Sequence, residues 1–574
     1  MARSLFAAAL AAAALATLPA PSDARTLSGS YLAAKAAAER NDHREAATRY
    51  AQALTRDPSN MGLRDRALTF ALLVGDLGAA AAIAAPLAEA DPSHRLAALA
   101  LLAEEMRKGD HDAALARLDA DAQDSVNRLV ADLIRGWAHV GRGDAEAMEA
   151  AFESLAADPV GRVFARYHQG LARAALGDDA AAAEALQAAM DAGGSREGRP
   201  ALALAGALER LGQVEAARDV YEAALASGRR APLMEDALAQ MQDDAPAPPL
   251  VRSAAAGAAE TFLSIGGALS DQNALVSLLY ARVASALRPE LHDARLLIGN
   301  VLLERDNPEA AARVFGSVPR RSPLFASAEI GRADALQDLD RIDEAIAALR
   351  NVARAEADDL AAQLSLAGAL RRAERWEESI DVYDEAVALI EPVENRHWGV
   401  FYERGIANER AGRWDDAETD FFKALELRPD QPHVLNYLGY SWVEQRRNFD
   451  EAQTMIEKAV EQEPENGYIA DSLGWVLYRV GKFEEAVPIL ERATELEPTD
   501  PIINDHLGDA FWMVGRRLEA RFQWRRALSF DPEQDEAERI RRKLDVGLDA
   551  VLAEEEAAAA AEAVTDDDPA VDDG

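Results

Sequence analysis

The sequence predicts an all-α array of stacked helix-turn-helix units, on three observations. The first is a period: Gly405, Gly439, Gly474 and Gly508 are spaced 34, 35 and 34 residues apart, and Pro429, Pro464, Pro498 and Pro532 are spaced 35, 34 and 34. A fixed period of this length marks a helical repeat array. The second is the phase within each period. In Gly467–Asp500, Ala470, Leu473, Gly474 and Leu477 occupy positions 4, 7, 8 and 11, one face of a first helix, and Ala486, Leu490 and Ala493 occupy 20, 24 and 27 in a second. Small residues at 8, 20 and 27 let the two helices approach closely, and larger ones at 7, 11 and 24 fill the remaining space. The third is the lack of any alternating strand pattern.

The arrangement Leu-Gly in the first helix, Ala-x3-large in the second and a closing Pro resembles the tetratricopeptide repeat, with Ala470 in place of the leading aromatic and Leu477 in place of the Tyr. That resemblance implies a TPR superhelical solenoid of about 13–14 helix-turn-helix units, in one body or in two halves.

Taken in order, residues 1–24 read as a secretory signal peptide: Arg3, an apolar run, Pro19 and Pro21, and the small-residue site Ser22-Asp23-Ala24, with cleavage expected after Ala24. Residues 25–242 read as an N-terminal array of degenerate units. Ala46, Tyr50, Ala53 and Pro58 keep positions 20, 24, 27 and 32 of a unit at Leu27, and Ala114 with Leu118, Met148 with Phe152, Ala182 with Leu186 and Ala217 with Tyr221 keep the phase. Pro246, Pro248 and Pro249 in Asp243–Leu250 cannot lie inside a helix. That segment is either a joint between two halves or a longer loop in one solenoid. Residues 251–534 read as a C-terminal array, clearest over 398–534, with Pro488 expected in the first turn of its helix. Ile540, Leu544, Leu548 and Leu552 predict a capping helix over 535–556, and the Ala- and Asp-rich residues 557–574 are expected to be disordered.

Composition narrows the function. The net charge of −39 disfavours nucleic acid and anionic lipid as partners. With no cysteine there is no disulfide, no thiol catalysis and no thioether-linked lipid anchor, and no run after the first 24 residues is long and apolar enough to span a membrane. The nine histidines form no metal-binding spacing, and no Gly-rich loop opens a basic helix. No catalytic, cofactor or metal residue is proposed, and the chain is read as a non-enzymatic periplasmic protein.

What remains is a surface. The resemblance implies that the first helix of each unit lines a concave groove through positions 2, 5, 9 and 12. Those positions give Tyr402, then Asn436 and Tyr440, then Tyr468, Asp471, Trp475 and Tyr478, then Asp505 and Asp509. Aromatics supply contact area at little entropic cost, and the acids favour a protein or peptide carrying Lys or Arg. Tyr440, Trp475 and Tyr478 fit either ligand contact or packing against a neighbouring helix. Trp376, Trp414, Trp512 and Trp524 fall at turn or packing phases and are read as core.

LNYLGYSWVEQ at Leu435, SLGWVLYRVGKFEEAVPILERA at Ser472 and HLGDAFWMVGRRLEARFQWRRAL at His506 resemble exported bacterial TPR proteins, among them outer-membrane lipoprotein adaptors of a carboxyl-terminal processing protease. The resemblance implies a scaffold for envelope assembly or turnover, or an adaptor that presents cell-wall hydrolases to a protease. Aromatic Trp475 and Tyr478 also motivate a peptidoglycan- or glycan-binding reading.

Overall fold

In the computed structural model, residues 26–121, 126–159, 161–194, 198–226, 231–241 and 246–565 are described. The expected signal peptide lies outside them. Among the described residues every regular element is helical, and fourteen helix-turn-helix hairpins run from Leu27–Glu39 with His43–Arg56 to Pro501–Met513 with Arg517–Leu528. They belong to two compact units that part at Ser365.

The spacing rule holds at atomic level. A Cβ on Gly405 would lie 2.7 Å from Phe421, on Gly439 2.9 Å from Ile456 and on Gly474 2.5 Å from Leu490, so each position-8 glycine is the floor under the large position-24 side chain of the second helix. The same pairing recurs in weaker units, as Gly136 under Phe152, Gly170 under Leu186 and Gly299 under Phe315. Gly474→Leu should therefore overpack its hairpin and cost about 1–3 kcal/mol or more. Thermal unfolding would show a lowered Tm for the C-terminal unit, and a parent-like melt would refute the packing.

Helix ends follow local chemistry. Asn466 and Asp500 cap Gly467–Arg479 and Pro501–Met513 by accepting hydrogen bonds from backbone N–H groups of the first turn. Gly481 turns the chain at φ +81°. The insertion that lengthens one period to 35 residues is taken up in the RRNF turn, where Arg446 and Asn448 both adopt positive φ. Pro488 does not lie in a first turn as expected: Phe483–Leu496 begins five residues earlier, so the proline sits in the helix interior.

The N-terminal unit departs from a simple stack. Pro246–Leu250 is extended and is held against Arg199–Arg210, where Arg210 donates to the Ala247 carbonyl at 3.1 Å and the Ala247 N–H donates to Glu209 at 3.3 Å. The chain then doubles back. Ala254–Ala268 packs on Arg128–Arg142, with Gly257 directly beneath the Trp137 ring, and Ala274–Leu287 packs on Met61–Val74. The Pro-rich segment is thus not where the compact units part; the helices after it fill the face of the first array, because an alanine- and glycine-rich helix presents too little bulk to be held off.

The C-terminal end also differs from expectation. Instead of one capping helix over 535–556 there are two, Gln534–Val546 and Leu548–Thr565, broken at Gly547 with φ +90°. The second continues to Thr565, so the first part of the expected disordered tail is helical. Its Ala-Glu composition has high intrinsic helix propensity. Residues 566–574 lie outside the described chain.

Candidate functional site

The C-terminal unit presents a cleft formed by successive first helices. One pocket of about 500 Å³ is lined by Asn436, Tyr437, Tyr440, Tyr468, Asp471 and Ile502, together with Glu409, Arg410, Glu444 and Asp500. A second of about 360 Å³ shares Tyr440, Glu444 and Ile502 and continues past Trp475, Arg479, Asp505, His506, Glu536, Arg539 and Glu555. The two form one cleft. Seven carboxylates line it against three arginines.

The expected residues separate into three groups. Tyr468 is 56% exposed, beside Ile502 at 41%, and both offer open apolar surface. Tyr440 and Asn436 line the same pocket, and Asn436 Oδ1 is shut off from solvent with no hydrogen-bond partner. Tyr468 and Ile502 are the open part of this lining, whereas Asn436 Oδ1 is closed to solvent.

A second group forms the wall. Trp475 and Tyr478 are each only 8% exposed and stack at 4.7 Å and 5°, and His506 stacks on Trp475 at 3.8 Å. Trp475 Nε1 donates to Glu444 at 2.6 Å. Asp471 accepts from His506 Nδ1 at 3.0 Å. Burial works against the charged imidazole, but Asp471, Asp505 and Asp509 outweigh it and hold the His506 pKa above its ordinary value. Tyr402 stands behind the cleft, packed on Trp398, Phe421 and Tyr437, and burial raises its pKa to about 12.

The third group is neutralised from within the chain. Asp509 is fully buried, accepting from Trp524 Nε1 at 2.9 Å and from Lys543 Nζ at 2.7 Å. Asp505 accepts from the same ammonium at 2.7 Å, and Arg539 lies 3.6–3.7 Å from both acids. Burial first and Asp509 second raise the Asp505 pKa, against the pull of Lys543. Lys543 and Arg539 stand on Gln534–Val546, so the terminal helix supplies in cis the cations these acids were expected to take from a partner. Asp509 has no surface to offer, because the helix that follows the last repeat lies on it. Among the aromatics read as core, Trp524 is fully buried.

The position rule missed Tyr437, whose hydroxyl donates to Glu409 at 3.1 Å, and the column at position 13, where Arg410, Glu444 and Arg479 follow one another. The alternation of charge in that column was the available signal. Among the described residues no group of three or more His, Cys, Asp or Glu is placed to hold a metal ion, and no helix is long and apolar enough to cross a membrane.

Residues 330–392, 402–448, 443–501 and 472–535 match the tetratricopeptide repeat family. These segments are tetratricopeptide repeats. The TPR match spans every helix that lines the cleft up to the last repeat. No curated protein matches the sequence. Among solved structures, the chain is similar to a tetratricopeptide repeat protein from Parabacteroides merdae at 15% identity, covering 45% of this chain and 98% of that one with a TM-score of 0.38. It is also similar to a chain of the APC/C hetero-tetramer Cut9-Hcn1 at 13% identity, 92% and 97% coverage and a TM-score of 0.39. A third likeness is to YrrB, a TPR protein with an unusual peptide-binding site, at 18% identity, 34% and 97% coverage and a TM-score of 0.27. TPR arrays are protein-interaction scaffolds, and this is the class of function the fold supports.

Proposed function

We propose that the C-terminal TPR cleft binds an extended, cationic peptide segment of a partner protein. The observation that carries this is the juxtaposition of exposed Tyr468 and Ile502 with an acid-rich lining that includes Glu444, Asp471 and Asp500. Apolar surface left open beside a concentration of carboxylates favours a ligand that brings both a hydrophobic side chain and Lys or Arg.

In this reading the chain is an exported, non-catalytic scaffold in cell-envelope assembly or turnover, export resting on the sequence of residues 1–24. A narrower form is an adaptor that holds a processing protease together with its substrates and raises their local concentration. No observation favours glycan binding, since the rings of Trp475 and Tyr478 are stacked on each other and on His506 rather than open.

The test uses arrayed peptides and the parent residues 25–574. Peptides that combine aromatic or aliphatic residues with Lys or Arg should bind, more weakly at high salt, and those with Asp or Glu in place of the cations should not. Tyr468→Ala with Ile502→Ala should weaken binding about 30-fold with an unchanged melt, since both side chains are exposed. Equal binding of acidic peptides, or parent-like binding by the double variant, would exclude this cleft. Affinity capture from periplasm then separates the adaptor, which retains a protease with its substrates, from other scaffolds.

A further inference from the structure

The N-terminal unit contains a cluster of cations with no counter-charge. Arg44 on His43–Arg56, Arg282 on Ala274–Leu287, Arg295 on His292–Glu304 and Arg313 on Pro308–Phe315 converge on a pocket of about 200 Å³. No carboxylate is among the residues that line it. Among the described residues the side chains of Arg44, Arg282 and Arg313 neither donate a hydrogen bond nor form an ion pair, and Arg282 Nε is shut off from solvent without a partner. Elsewhere in this unit partly buried arginines such as Arg199 and Arg173 are paired with carboxylates, Glu260 and Glu149. In a chain of net charge −39, a carboxylate is the easiest partner to supply.

The absence of one has consequences at the site. Burial, Arg44 and Arg313 pull the Arg282 pKa down to about 10, and burial with Arg282 and Arg305 pulls His43 down to about 4. Like charges held together in this way are stable only if the surrounding fold dictates them. Here it does: the pocket exists because the helices after Pro246–Leu250 return to the first hairpin, and Asn307 Nδ2 fixes that contact by donating to the Asn41 carbonyl at 2.9 Å.

We propose that Arg44, Arg282 and Arg313, with Arg295 at the rim, form a binding site for a phosphate group, either free or as the monoester of a small molecule. Planar guanidinium forks match the oxygens of a tetrahedral dianion, which accepts from several donors at once and neutralises more than one of them. The volume suits a phosphate and a few further atoms rather than a folded partner. Ser285, which also lines the pocket, adds a neutral hydroxyl donor.

The experiment is calorimetry and thermal unfolding of the full chain with inorganic phosphate, and separately with glycerol 3-phosphate, against sodium chloride of matched ionic strength. Either ligand should bind and raise the Tm of the N-terminal unit beyond the chloride control. Tighter binding of the ester identifies a monoester ligand, and equal binding identifies the phosphoryl group alone. Arg44→Gln with Arg313→Gln, both exposed, should weaken binding about tenfold for each charge removed, without loss of fold. Arg282→Gln should abolish the response while leaving the ligand-free Tm equal or higher, because a like-charge contact is relieved. No binding beyond the chloride control, or parent-like binding by these variants, would overturn the proposal.

Discussion

Glu260→Ala should destabilise the N-terminal unit by about 3–5 kcal/mol, a larger effect than any surface substitution in the chain. Glu260 is fully buried on Ala254–Ala268 and is the hub of the contact by which that helix is held. Its carboxylate accepts from Arg199 at 2.5 and 2.6 Å and from the Tyr167 hydroxyl at 2.8 Å, and Arg199 reaches on to Asp293 at 3.1 Å. Beside it Trp137 Nε1 donates to His168 Nδ1 at 3.0 Å. Removing the acid leaves a guanidinium and a phenol buried with their hydrogen bonds unmade. Arg341→Ala, which breaks an exposed ion pair with Glu344, should leave the unfolding midpoint close to the parent's. Urea unfolding of the two variants beside the parent measures the contrast. A Glu260→Ala midpoint close to that of Arg341→Ala would show that the returning helix is held by apolar packing alone.

The second large effect is expected at the other end of the chain. Lys543→Ala should cost the C-terminal unit about 3 kcal/mol or more, because Asp505 and Asp509 are left facing one another in a site that water does not reach freely. Trp524 Nε1 still donates to Asp509 and Arg539 still stands nearby, which keeps the loss from being greater. Arg542→Ala removes a neighbouring cation from the same helix, but its partner Glu554 is exposed, and the melt should stay close to the parent's. Near-ultraviolet circular dichroism during thermal unfolding follows the ordered aromatic side chains, and most of the tryptophans, Trp524 among them, lie in the C-terminal unit. If Lys543→Ala leaves that transition in place, the terminal helix is an independent appendage and Asp509 is available to a partner after all.

These two networks share a logic. In both, a later helix lays a charged residue against side chains of preceding units, Glu260 against Arg199 and Lys543 against Asp509. A groove position predicted from the repeat is therefore not by itself a ligand contact. It becomes one only where the next helix in the chain leaves it uncovered, as at Tyr468 and Ile502.

The period was enough to determine the repeating part of this protein. Gly474 beneath Leu490 and Gly405 beneath Phe421 are short-range contacts, made within one hairpin, and a helix pair carries their whole geometry in its spacing. The aromatic cleft was legible for the same reason, since adjacent first helices are one period apart. The tertiary structure alone decided what covers what. Asp509 reads as a groove acid until Lys543, 34 residues on, is seen to neutralise it, and Trp475 reads as a ligand ring until His506 is placed on it. The arginine pocket depends on residues as far apart as Arg44 and Arg313, brought together by a chain reversal that no local pattern encodes. Periodicity reports contacts along the array, whereas the return of a helix onto an earlier face is set by packing and charge between particular side chains of different units.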